Sequence, residues 1–384
     1  MKLKDICSVF IDGDWIETKD QSDYGIRLIQ TGNIGEGIFL EKQGKEKYIS
    51  TETFKDLKCT EVFAGDLLIS RLPEPIGRAC IIPLKDDRMI TAVDCTICRF
   101  DNSKVIAKYV CYFMQSKFYY NQLKKYTLGT TRKRISRKNL GTININVPNL
   151  SLQQKIVDVL DKVENLIDNR QQQLNLLDEL IKSRFIEMFG DPVTNPMGWD
   201  KFKLLDKCDI VTGNTPSRNI PEYYGDTIEW IKSDNITNEI ILTKAVEYLS
   251  NEGEKVGRIV EAGNILMTCI AGSIKSIGNV AITDRKVSFN QQINAIIPRQ
   301  QNVFFMYEQF KLSKNYICNG VNMSLKGILS KSQLSELKFI FPPIELQNKF
   351  AVFVEQVEKS KETIKKSLDE LNLLKDSLMQ KYFG

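Results

Sequence analysis

Residues 152–190 align without a gap onto 346–384, an offset of 194, with eleven identities in 39 pairs. Among them are Leu152/Leu346, Gln153/Gln347, Lys155/Lys349, Glu164/Glu358, Leu177/Leu371, Phe189/Phe383 and Gly190/Gly384. A repeat this long implies an object with two equivalent parts. In the first copy apolar residues step by four and three through Ile156, Leu160, Val163, Ile167, Leu174, Leu177 and Ile181. The second repeats the series at Phe350, Val354, Val357, Ile364, Leu368 and Leu371. That 3.5-residue period predicts a coiled-coil seam. Arg170 and Arg184 interrupt it in one copy and Lys361 and Lys375 in the other, at positions that do not coincide. In an antiparallel pair such cations would snorkel to the edge or fix the register. Pro148 and Pro342-Pro343 predict the helix starts, because proline lacks an N–H and keeps the preceding residue extended. Gly190 and Gly384 predict the stops. A helix of about 38 residues would span ~57 Å, the rise of roughly seventeen base pairs of duplex.

At 384 residues the chain has room for two cores. Its 42% hydrophobic and 26% charged content is that of an ordinary globular protein. No apolar run approaches the ~20 residues that cross a bilayer, and Met1-Lys2-Leu3-Lys4-Asp5 leads into no signal-peptide core, so a cytoplasmic address and no membrane partner are expected. Nine scattered cysteines point to reduced thiols. Cys95 and Cys98 form a lone CxxC in a strand-like segment with no second ligand pair, so no metal site is expected. Histidine is absent. That removes the commonest general base, the Ser-His-Asp and Cys-His arrangements and the HExxH zinc site together. No phosphate-binding glycine loop compensates. These absences describe a chain that binds.

Segments of roughly 145 residues precede each helix and also match, loosely. Ile29–Ile34 faces Ile231–Ile236, and Ala64–Ser70 faces Ala262–Thr268. Alternating apolar and polar residues between Gly and Asn breaks predict short strands, with one helix late in each segment, about Val105–Lys124 and Val303–Tyr316. A shared scaffold with different loops is how two binding domains diverge in what they recognise. Residues 102–157 contain no acid but many cations, interleaved with aromatics such as Tyr109, Tyr112, Phe113, Phe118 and Tyr119. Cations and hydroxyls satisfy phosphate oxygens, and arginine also takes guanine bidentately. The DNA-contact candidates in this stretch are therefore Lys124, Lys125, Thr130, Thr131, Arg132, Lys133, Arg134, Arg137 and Lys138. Asn33 and Arg71 join them from the turns of the same segment. The second segment is less basic; its candidates are Asn235, Lys275 and the loop residues Asn322, Ser324 and Lys326.

The Pro148–Gln153 and Pro342–Gln347 helix starts, the Lys182–Gly190 exit continuing into Asp191-Pro192, and the duplicated order of segment and helix together resemble the specificity subunit of type I restriction-modification systems. The resemblance runs over the whole chain; Glu345 keeps an acid that the family usually carries before the Gln, whereas Ser151 lacks it. It implies an α+β fold with two mixed α/β target-recognition domains, 1–147 and 191–341. Each would be followed by a long helix, 148–190 and 342–384, the two helices pairing as an antiparallel coiled coil that sets a gap. It also implies a non-catalytic subunit reading a bipartite, asymmetric double-stranded DNA target. The expected partners are two adenine methyltransferase (modification) subunits and restriction subunits, which would carry S-adenosylmethionine, ATP and Mg, with no cofactor in this chain. Two other readings of the residues stay open: a DNA-modifying enzyme with a cryptic carboxylate site, and a coiled-coil interaction scaffold.

Overall fold

A computed structural model gives the structure over residues 1–126, 133–237, 239–319, 321 and 327–384. Two compact units emerge: Met1–Gln171 with Lys366–Gly384, and Gln172–Lys365. In the first unit an antiparallel sheet has the order Cys7–Asp12, Cys95–Phe100, Leu67–Ser70, Ala79–Ile81. A second, five-stranded sheet has Ile26–Ile29 parallel to Met89–Thr91 at its centre. The second unit repeats this strand for strand. Its four-stranded order is Cys208–Thr212, Ile293–Pro298, Ile265–Thr268, Val280–Ile282, and Ile228–Ile231 lies parallel to Val287–Phe289 in its five-stranded sheet.

Leu67–Ser70 is buried throughout, as is Ile265–Thr268, because this sheet is the middle layer of each unit. Leu67 and Ile69 face the core that holds the helices, whereas Leu68 faces the other sheet. Ile265 and Met267 divide from Leu266 in the same way. Strands covered on both faces read as continuous apolar runs rather than alternation. The late helices are each broken in two, Ala107–Phe113 with Lys117–Lys124, and Val303–Leu312 with Lys314–Cys318. In the first unit Ser116 makes the break by capping Tyr119 N–H. All nine cysteines are free; burial pushes the Cys95 thiol up to about 12, and Cys98 on the same strand is also buried.

The long helices are Leu150–Phe189 and Ile344–Phe383. Each unit takes a piece of both. Glu164 pairs with Lys375 at 2.9 Å in the first unit and Asp178 with Lys361 at 2.8 Å in the second, so in each the helices run antiparallel. In the second unit Phe185 and Phe189, late on one helix, meet Phe350, early on the other, and Phe305 of the domain. In the first unit Phe383 lies 5.3 Å from Tyr109 and 6.1 Å from Phe113.

The repeated glutamines acquire a physical role here. Gln153 and Gln347 are fully buried. Gln153 Oε1 accepts from Ile106 N–H, and its Nε2 donates to the carbonyls of Lys104 and Pro148. Gln347 accepts from Asn302 N–H and donates to Pro342 O and Gln301 Oε1. One amide thus ties the start of each long helix to the loop that precedes the domain helix.

Lys361 is buried at the helix seam between Asp178 and Glu358, both at 2.8 Å; the first copy has Ile167 at the equivalent place. A buried ion pair is often no better than an apolar residue of similar size, and Asp178 is half-exposed. Lys361→Ile is expected to leave the urea midpoint unchanged or raise stability by ~1 kcal/mol; a loss above ~3 kcal/mol in equilibrium unfolding would contradict that account.

Candidate nucleic-acid interface

In the first unit five strand ends meet at one place. Asp12 ends the first strand opposite Thr96, Ser70 ends another opposite Cys95, and Ile29 and Thr91 end side by side. Gly13 is required there: a Cβ would stand 2.2 Å from Thr91 O. The matching Gly213 would meet Asn290 O at 2.2 Å, so the convergence is built alike in both units.

Arg71 follows Ser70 into this junction and is buried. Its guanidinium donates to Val93 O at 2.6 Å and Ile135 O at 3.4 Å, and lies 3.4 Å from Asp12 and 3.9 Å from Asp94. The buried Ile135 anchors the returning chain through its N–H to Arg71 O, 3.2 Å. On either side of it, Arg134 reaches Asp94 at 3.5 Å and Arg137 reaches Asp12 at 3.9 Å. Their side chains are 55% and 44% exposed against 5% for Arg71. The result is an alternating ladder, Arg137, Asp12, Arg71, Asp94, Arg134. Arg78, which the sequence did not single out, is also buried; it donates to the carbonyls of Ile34, Leu72, Pro75 and Thr31 and holds two loops at this edge.

The second unit puts neutral groups at four of these five positions, and at the fifth Lys331 stands where the first unit has Arg137, each following a serine that caps a short helix, Ser330 and Ser136. Gly213 N–H bonds Ile293 O as Gly13 bonds Cys95 O, and Leu329 N–H bonds Cys269 O as Ile135 bonds Arg71 O. Thr212, Cys269, Gln292 and Ile328 therefore stand where the first unit has Asp12, Arg71, Asp94 and Arg134. Thr212 donates to Asn294 Oδ1 at 2.7 Å; Asn290 Nδ2 and Ser233 Oγ both donate to Gln292 Oε1, at 3.2 and 3.3 Å. Thr215 and Gln291, both exposed, hydrogen-bond each other alongside. Beside these amides Arg218 covers the rings of Tyr224 and Trp230 and shares Glu247 with Lys232.

The sequence candidates divide accordingly. Lys124, Lys125, Lys133, Arg134, Arg137 and Lys138 are exposed. Lys124 and Lys133 border a cavity of about 490 Å³ with Pro73, Glu74 and Pro75. Lys275 is exposed in the second unit, where Lys314 donates to its carbonyl. Thr130, Thr131, Arg132, Asn322, Ser324 and Lys326 lie outside the described residues. Three candidates lie inside the fold. Asn33 and Asn235 are buried and close their own turns: each Oδ1 accepts from the N–H three residues earlier, and each Nδ2 donates to a carbonyl, of Leu40 and Lys244. Arg71 is likewise committed within the protein. The acid-free stretch is also not acid-free in space. Asp161 takes Lys108 at 2.8 Å, Asp101 takes Lys104 at 3.2 Å, and Asp12 and Asp94 take the arginines. Of its aromatics, Tyr109, Tyr112, Phe113 and Tyr119 are core, with the Tyr112 hydroxyl donating to Asp161 and Glu164.

Among the described residues no group of His, Cys, Asp and Glu is placed to hold a metal ion, and no helix is long and apolar enough to cross a membrane.

Residues 1–179 and 196–373 match the family model of the type I restriction modification DNA specificity domain. The HindI specificity subunit of Haemophilus influenzae is 31% identical over 159 residues, 39% of this chain and 33% of that protein. The MjaIX specificity subunit of Methanocaldococcus jannaschii is 29% identical over 195 residues, 49% of this chain and 44% of that one, so the matches span less than half of either relative. A putative MjaX specificity subunit of the same organism is 21% identical over 98% of this chain and 91% of its own. The fold is shared with the S subunit from M. genitalium, with a TM-score of 0.58 at 15% identity over 100% of this chain and 95% of that one. It is shared too with a solved chain of a type I R-M system, with a TM-score of 0.62 at 16% identity over 100% and 96%. Because the model covers both copies of the repeat, the chain belongs to the type I restriction-modification DNA specificity family.

Proposed function

We propose that this chain reads a bipartite, asymmetric double-stranded DNA target, one half per unit, and directs partner adenine methyltransferase and restriction subunits to it. S-adenosylmethionine, ATP and Mg would be held by those partners. One observation carries the reading: a single scaffold occurs twice, and the same strand-end junction holds an arginine–carboxylate ladder in one unit and, in the other, neutral groups in place of both carboxylates and of Arg71 and Arg134, with Lys331 in place of Arg137. Identical scaffolds with different chemistry at one position suit two readers of different sequences. Exposed Lys124, Lys125, Lys133 and Lys138 would supply phosphate contacts, which set register and affinity without carrying sequence. Lys275 would do so in the second unit, and Thr130, Thr131, Arg132, Asn322, Ser324 and Lys326 remain proposed contacts.

The test is to map methylated adenines genome-wide in strains carrying and lacking this chain, then in a strain with residues 191–341 replaced by a relative's segment. A split motif that disappears with the chain is expected, and the replacement should change one half of it only. Methylation independent of the chain, or both halves changing together, would refute the proposal.

A further inference from the structure

We infer that Asp12 and Asp94, with Arg134 and Arg137, determine the base preference of the first unit, and that the half-site it reads contains a G·C pair taken by an arginine and a carboxylate side by side. This deepens the DNA-reading proposal and rests on it. A face built only to grip phosphates gains from cations and is weakened by carboxylates, since like charges a few ångströms apart repel. Two carboxylates in the middle of the most basic part of the chain therefore serve either the fold or recognition. The second unit shows that the backbone junction itself does not need them. With Thr212, Cys269, Gln292 and Ile328 in these places, and no buried guanidinium to neutralise, it makes the same glycine turn and the same backbone bond from the returning chain, Leu329 N–H to Cys269 O at 2.8 Å. The acids therefore come together with Arg71 as one polar unit added to a shared junction.

The geometry fits recognition. Arg71 is held by two backbone carbonyls and approaches both acids, so the acids have a fixed support. Asp12 is further held by Thr96, whose hydroxyl donates to it at 2.8 Å. Arg134 and Arg137 lie over the outer sides of these acids and are half-exposed. Donors and an acceptor are thereby presented together. In the major groove guanine offers two acceptors, O6 and N7, to an arginine fork, and its partner cytosine offers the N4 amino donor that a carboxylate accepts. Asp12 and Asp94 thus act as positioning residues for the arginines and as acceptors in their own right.

The experiment measures binding of the chain in its methyltransferase complex to the duplex defined by methylation mapping, with each base pair of the first half-site varied in turn. Asp94→Asn is expected to reduce discrimination at one G·C position by about 10–100-fold, with preference in the other half unchanged. Uniformly tighter binding to all duplexes with preference intact would mean that the acid only opposes phosphates, and would overturn the inference; so would an unchanged profile. Should Asp94→Asn lower the unfolding midpoint, Arg134→Lys decides. It keeps the charge of an exposed side chain and removes the fork, and it must relax the same position; unchanged preference overturns the inference. A wild-type complex with no split-sequence preference would instead refute the DNA-reading proposal from which this one starts.

Discussion

Phe185→Ala is expected to destabilise the second unit by ~3–5 kcal/mol, the largest effect of any single change considered for this protein. Phe185 is fully buried, 5.0 Å from Phe189, stacked on Phe305 at 5.4 Å and edge-on to Phe350 at 5.4 Å. Truncation removes the transfer energy of a whole ring and leaves a cavity walled by three other rings, each too constrained by its neighbours to collapse into it. The residues involved come from both long helices and from the domain helix Val303–Leu312, so the loss falls on the joint between helix pair and domain. Hydrogen exchange should report it as lost protection within 172–365 and preserved protection in the sheets of the first unit. Retained stability within ~1 kcal/mol would mean that this ring cluster does not hold the joint.

Gln347→Leu is expected to cost ~2–4 kcal/mol although it keeps the volume and adds apolar surface. The amide is fully buried and makes three hydrogen bonds, so leucine strands Asn302 N–H and Pro342 C=O away from water. A buried group left without a partner costs its desolvation, about 1–3 kcal/mol each. Gln153→Leu should behave alike in the first unit, where Ile106 N–H and the Lys104 carbonyl lose their partner. Gln347→Glu separates the causes: it keeps the acceptor for Asn302 but loses both donated bonds and buries a carboxylate, so it should be no milder than leucine. Urea midpoints of the three variants give the check; a stabilised leucine variant would show that the motif glutamine is not a structural tie.

The architecture was legible because duplication and periodicity survive in linear order. The 3.5-residue pattern, the prolines and the glycines point to the long helices, and the matching Ile29–Ile34 and Ile231–Ile236 segments identify equivalent strands. Interior and surface were not separable along residues 102–157, where Tyr109, Tyr112 and Tyr119 are core while the nearby Lys124 and Lys125 are exposed. The ladder was hidden for another reason. Asp12, Arg71, Asp94 and Arg134 are spread over more than a hundred residues and become neighbours only through the sheet register that sets Asp12 against Thr96 and Ser70 against Cys95. Asn33 and Asn235 look like presented amides in sequence, and only the turn they close shows their groups to be occupied.

The division of the chain into Gln172–Lys365 on one side and Met1–Gln171 with Lys366–Gly384 on the other has a consequence during synthesis. The second unit is one uninterrupted stretch, so no part of it waits on a distant segment of the chain. The first unit leaves the ribosome earlier but lacks Met379 and Phe383, which belong to its core, until more than two hundred further residues have been added. Vectorial synthesis therefore leaves the half-built first domain exposing apolar surface to chaperones until the last stretch of the second long helix has been made.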